Sequence, residues 1–100
     1  MNAARKANRE RVLKEAWTGD AVLCLYARRK VLREDGRIDS PKAERMTSNQ
    51  FLTVFGEPSE VEAEIGRIYE REGLEAAFAW IEGHLMLVYE RHEAKRLKGW

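Results

Sequence analysis

The stretch Ala16-Trp17-Thr18-Gly19-Asp20-Ala21-Val22-Leu23-Cys24-Leu25-Tyr26-Ala27-Arg28-Arg29-Lys30-Val31-Leu32-Arg33 decides the fold. Its periodicity is helical, which predicts one long helix over residues 16–33. Within it, Ala21–Ala27 is apolar on every side, the pattern of a helix buried all round. Asp35-Gly36 ends the helix, and a polar loop containing Ser40-Pro41 is expected over Arg37–Met46. Upstream, Asn8–Leu13 reads as the end of a basic first helix or arm within residues 1–14. Downstream, Thr47 or Ser48 can cap a short helix carrying Phe51, Leu52, Val54 and Phe55, stopped by Gly56. Pro58-Ser59 opens the next helix, striped by Val61, Ile65, Ile68 and Tyr69 and broken at Gly73. Leu74, Ala77, Phe78, Ile81 and Leu85 stripe a further helix in which Gly83 is a kink or a break. Residues 85–100 form a basic C-terminal helix. No segment alternates with period two for long enough to be a strand. The reading is an all-α single domain over residues 1–100, built of five to six helices.

Composition narrows the class. One hundred residues, 44% of them hydrophobic, make one domain with a core of its own. Cys24 is the single cysteine, which excludes an internal disulfide framework and any paired-cysteine zinc module. No apolar run approaches the ~20 residues that cross a bilayer. The opening Met1–Leu13 stretch has no apolar core of the kind a signal peptide needs. A cytoplasmic protein with no membrane partner is expected.

The formal net charge of +1 conceals a strong segregation. Residues 1–33 carry nine Lys/Arg against three acids, and residues 34–93 carry six against fourteen. The last seven residues add Lys95, Arg96 and Lys98. Two basic ends flank an acidic middle. This suits a phosphate-binding surface beside a metal-binding one, and it equally suits ordinary self-complementary surface charge.

Two acids stand out. Asp20 sits between Trp17 and an apolar run, where an ionised carboxylate needs a partner, a hydrogen bond or a metal. The plainer reading is that Thr18 or Asp20 caps a helix starting there. Glu62 ends a Ser59-Glu60-Val61-Glu62 stretch of capping-box form, and it is also a candidate ligand. His84 and His92 are two helical turns apart, ~12 Å, too far to share one metal. Cys24 reads as a buried, inert thiol. Arg28, Arg29 and Lys30 make a basic helix end, either a solvated face or a set of phosphate contacts.

Taken in order, three stretches resemble the ribonuclease III domain family. Trp17-Thr18-Gly19-Asp20-Ala21-Val22 is similar to its signature helix, an aromatic followed by x-G-D-A-V. Met46–Leu52 resembles its short middle helix. Val61-Glu62-Ala63-Glu64-Ile65-Gly66-Arg67-Ile68-Tyr69, followed by Gly73-Leu74-Glu75-Ala76-Ala77, resembles its E-A-x-x-G-x-x-Y helix and G-L-E-A-A continuation. Together they cover most of residues 15–82. Full-length members place four carboxylates around the metal; two of those positions fall here on Ala16 and Ser59. Glu15 and Glu60 are each one residue away, and a one-residue slip turns a helix face by about 100°. Alanine and a small hydroxyl at those places, with Tyr26-Ala27-Arg28 as a Y-x-R, are similar to the Mini-ribonuclease III branch, which has no separate double-stranded-RNA-binding domain. Relative to that branch the region around Arg37–Met46 is trimmed, and a stretch before Pro58 is absent. The resemblance implies a symmetric helical homodimer that hydrolyses both strands of duplex RNA, leaving 5′-phosphate and 3′-hydroxyl ends. It implies Asp20 and Glu62 as catalytic ligands of Mg²⁺ or Mn²⁺, with Arg28, Arg29 and Lys30 gripping flanking phosphates. The alternative is a catalytically inactive relative that binds structured RNA or serves as a protein-interaction module.

Overall fold

A computed structural model describes residues 2–99, all of whose regular elements are helices: α1 Ala3–Asp35, α2 Ser40–Thr47, α3 Asn49–Leu52, α4 Pro58–Glu72, α5 Leu74–His84 and α6 Met86–Leu97. Met1 and Trp100, the outermost residues of the expected basic ends, lie outside the described residues. The all-α expectation holds. No helix among the described residues is long and apolar enough to cross a membrane.

Helix α1 corrects two expectations. The arm and the long helix are one element of 33 residues, so neither Thr18 nor Asp20 caps a helix start. Asn2 is the cap, its side-chain oxygen accepting from the Arg5 N–H at 2.8 Å. The polar Lys14-Glu15 interval carries no helix breaker, so the helix runs through it. At 1.5 Å per residue α1 is about 50 Å long, matching the 49 Å longest dimension of the molecule. It ends at Gly36, whose φ of +71° suits glycine and whose N–H closes on Leu32 O at 3.0 Å. The Ala21–Ala27 run is not buried all round either. Val22, Leu23, Tyr26 and Ala27 enter the core, while Ala21 and Leu25 face outward and Trp17 is 83% exposed.

The loop expected at 37–46 contains α2, because Asp39 caps it from Lys42 N at 3.1 Å and Pro41 sits in its first turn. Ser48 caps α3, a single turn. Gly73, at φ +97°, separates α4 from α5, with its N–H bonded to Tyr69 O at 2.9 Å. Helix α4 packs along α1 more extensively than any other pair of elements. The main core joins Leu23, Tyr26 and Val31 of α1 to Met46, Leu52, Ile65, Ile81 and Tyr89. Each such large side chain contributes about 1.5–3 kcal/mol on burial. Two ion pairs tie α6 down: Arg45 forks onto Glu93 at 2.9 and 3.1 Å, and Lys30 reaches Glu90 at 3.6 Å.

Candidate functional site

The close approach of α1 and α4 is made by small residues. Ala16 and Gly19 on α1 meet Ala63 and Gly66 on α4, with Val12 completing a small buried cluster. A Cβ placed on Gly19 would sit 1.7 Å from the carbonyl oxygen of Glu62, and one on Gly66 would sit 2.1 Å from that of Glu15. Glycine is therefore required at both positions for backbone to touch backbone. Ala16 is 5% exposed inside this crossing, so its position is a packing position and holds no carboxylate that could reach a cation.

Because Asp20 follows Gly19 directly and Glu62 supplies the carbonyl against it, the two acids emerge on the same flank of the crossing. Their carboxyl groups are within hydrogen-bonding reach of each other. Glu62 is half-buried, and its pKa is pushed up to about 7, first by burial, then by the hydrogen bond with Asp20 and its charge, then by the charge of Glu57. Glu62 lies beyond the first turn of α4, whose cap is Glu57 with no side-chain cap bond, so the capping-box reading fails. The thiol of Cys24 donates weakly to Asp20 Oδ1 at 3.9 Å, and burial followed by the Asp20 charge raises its pKa. The thiol is half-buried rather than enclosed as expected, and the raised pKa keeps it protonated at neutral pH.

The other flank is chemically different. Glu15 accepts from Arg67 at 2.9 Å and lies 3.6 Å from Arg11, and Arg67 also faces Glu64. Glu15 is thus neutralised by the chain itself and does not join Asp20. Glu60 is exposed, and Ser59 stays half-buried in the first turn of α4. Among the described residues no three His, Cys, Asp or Glu side chains converge as a ligand cluster. The site is a pair of carboxylates. A pair is still a fit for Mg²⁺, which keeps several waters and is commonly held by one or two carboxylates together with substrate phosphates.

The three expected basic contacts separate. Lys30 is 5% exposed, with Nζ 2.8 Å from Glu34 and 3.6 Å from Glu90. It is an internal cation, and the expectation that it grips phosphate is corrected: its charge is already spent holding α6 to α1. Arg29 lies nine residues from Asp20, about half a turn round the helix, with its guanidinium 5.7 Å from the centre of the Phe78 ring. It faces away from the carboxylates. Arg28 remains on their side, near enough that its charge acts on Cys24. A cavity of about 500 Å³ between α1 and α2 begins at Cys24 and Arg28 and is walled further on by Leu32, Ile38 and Ala43. Its mainly apolar walls do not make a phosphate seat.

One cation went unnoticed in the sequence. Arg9 bonds Glu57 at 3.3 Å, and so stands at the edge of the carboxylate flank. Its spacing of eleven residues before Asp20, close to three full turns, is the signal that finds it once α1 is read as one helix. No family profile, no curated protein and no solved structure matches the chain.

Proposed function

We propose that the chain is a metal-dependent endoribonuclease that hydrolyses phosphodiester bonds of double-stranded RNA, leaving 5′-phosphate and 3′-hydroxyl ends. The observation that carries the reading is the convergence of Asp20 and Glu62 on one flank of the α1–α4 crossing, with no ion pair to either among the described residues. Two facing carboxylates repel unless they share a proton or bind a cation. When bound there, Mg²⁺ or Mn²⁺ supplies an activated water and neutralises charge developing on the phosphate. Asp20 and Glu62 are the residues that would hold it. Arg28, on the same side, would attract the flanking phosphate backbone; duplex RNA is recognised mostly through backbone and 2′-hydroxyl contacts, so little base preference is expected. The order of the motifs along the chain supports the same activity through the ribonuclease III resemblance.

The reading includes a homodimer. Leu13, Trp17, Ala21 and Leu25, spaced four residues apart, form an exposed strip on α1 beside Asp20. An apolar strip of this kind is a surface that a second copy would cover. A particle mass of a single chain in light scattering at micromolar concentration would remove the dimer from the reading.

Incubation with a labelled RNA duplex tests the activity. Wild-type protein is expected to cleave in Mg²⁺ and to bind without cleaving in Ca²⁺. Asp20→Asn is expected to lose about a thousand-fold or more in rate, roughly 4 kcal/mol of barrier, with its circular dichroism unchanged. Normal cleavage by Asp20→Asn sinks the site assignment. Retention of the duplex without cleavage in Mg²⁺ would instead make the chain an inactive RNA-binding relative, and no binding at low salt would leave a protein-interaction module.

A further inference from the structure

We propose that residues 3–11 of α1 form a rigid arm that lies along the phosphate backbone of a nucleic-acid duplex, with Arg5, Lys6 and Arg9 as its contacts. The inference rests on the duplex-RNA reading above and adds a second, separate place where the duplex is held.

Every residue from Asn2 to Arg11 is exposed, and Val12, at 3%, is the first that enters a core. The arm is nonetheless helical. Asn2 caps it, Ala3, Ala4 and Ala7 favour helix, and the helix is already nucleated by the packed stretch that follows. Folding therefore orders nearly three turns of helix that add nothing to the core. Between residues 3 and 14 there are five Lys/Arg against the single acid Glu10.

The direction of these cations is set by helical geometry. At about 100° per residue, Arg5, Lys6 and Arg9 all fall within about 60° of Asp20 around the axis, some 16–22 Å away along it. Arg11 points to the opposite side, where it is paired with Glu15 at 3.6 Å. Arg5 and Lys6 make no ion pair among the described residues. Arg9 touches Glu57, but both side chains are about half exposed, and an exposed pair of this kind is weak enough to be shared with a phosphate. The result is a row of cations on the face that also presents the carboxylates.

The occupant follows from chemistry. An anionic membrane would need apolar side chains to insert, and the arm offers only alanines. A straight, polar, cationic rod suits an equally straight polyanion whose charges repeat at fixed intervals.

The test is the salt dependence of binding to a labelled blunt-ended RNA duplex in Ca²⁺, by fluorescence anisotropy. The double variant Arg5→Gln/Lys6→Gln leaves the core untouched and is expected to make the slope of log K against log salt shallower by about 2. A control, Arg91→Gln/Lys95→Gln on α6, removes the same charge and is expected to leave the slope within about half a unit of wild type. An unchanged slope in the arm variant overturns the arm while leaving duplex binding and cleavage standing. Equal changes in both variants also overturn it, since net charge alone would then explain the loss. Failure of the wild-type protein to bind duplex at low salt overturns both the arm and the reading beneath it. Wild-type binding to phosphatidylserine vesicles that the arm variant loses, in place of duplex binding, would do the same.

Discussion

The two flanks of the α1–α4 crossing are built from the same materials and end in opposite chemical states. On one, Glu15 meets Arg67, Arg11 stands close by, and the acid is satisfied within the chain. On the other, Asp20 and Glu62 face each other with Glu57 nearby, and Arg9, at the edge of that flank, is bonded to Glu57. An acid that serves only structure arrives with its own cation. A pair left facing each other has to take up a proton or find a cation elsewhere, and its strain registers in a Glu62 pKa near neutrality.

The largest effect is expected from removing the crossing that creates both flanks. Gly19→Ala puts a methyl where the Glu62 carbonyl lies, so the helices must separate. A loss of about 3 kcal/mol, the upper end for overpacking, is expected in the urea midpoint followed by circular dichroism. A midpoint unchanged from wild type would mean that the contact is looser than described.

A milder change sharpens the contrast. Arg67→Gln removes the chief partner of half-buried Glu15 and should cost about 1 kcal/mol of stability, with RNA cleavage within about two-fold of wild type. Loss of cleavage comparable with Asp20→Asn would show that the paired flank belongs to the site after all.

The smallest effect is a pH dependence confined to the unpaired flank. In the folded chain Glu62 keeps its proton up to about 7, whereas the unfolded chain releases it near the ordinary 4.5. Between those values the folded state binds more protons, so stability falls as pH rises through the window and levels off above it. In chelator, the melting temperature of wild type should decline from about pH 5 to 8 relative to Glu62→Gln, and Mg²⁺ should restore more at pH 8 than at pH 6. A rising or flat difference between the two proteins contradicts the facing pair.

Much of this was legible in the sequence, for reasons that differ by element. Ser48, Pro58 and Gly73 mark helix boundaries through local chemistry, and all three act where expected. Asp20 was legible as a carboxylate set beside an apolar run, and Glu62 only through the resemblance, since its local sequence reads as a capping box; the backbone contact at Gly19 that brings α4 against α1 there shows only in the fold. Helix α2 was missed because Asp39-Ser40-Pro41 signals a turn and a helix start in the same residues. The continuity of α1 was missed because Lys14-Glu15 has no apolar residue to carry the stripe, although Glu15 is held from α4. Lys30 was misassigned for a geometric reason. Three consecutive cations on a helix fan out through about 200°, so Arg28, Arg29 and Lys30 cannot share one surface, and only partners distant in sequence such as Glu90 decide which turns inward.

Since Ala3–Asp35 is unbroken, the bearing of the arm relative to Asp20 depends on nothing but the number of residues between them. One residue added near Leu13 would swing Arg5, Lys6 and Arg9 about 100° out of phase with the carboxylates, whereas seven would bring them back to within about 20° and set them about 10 Å further out. The helix thus works as a ruler whose graduations are counted in residues.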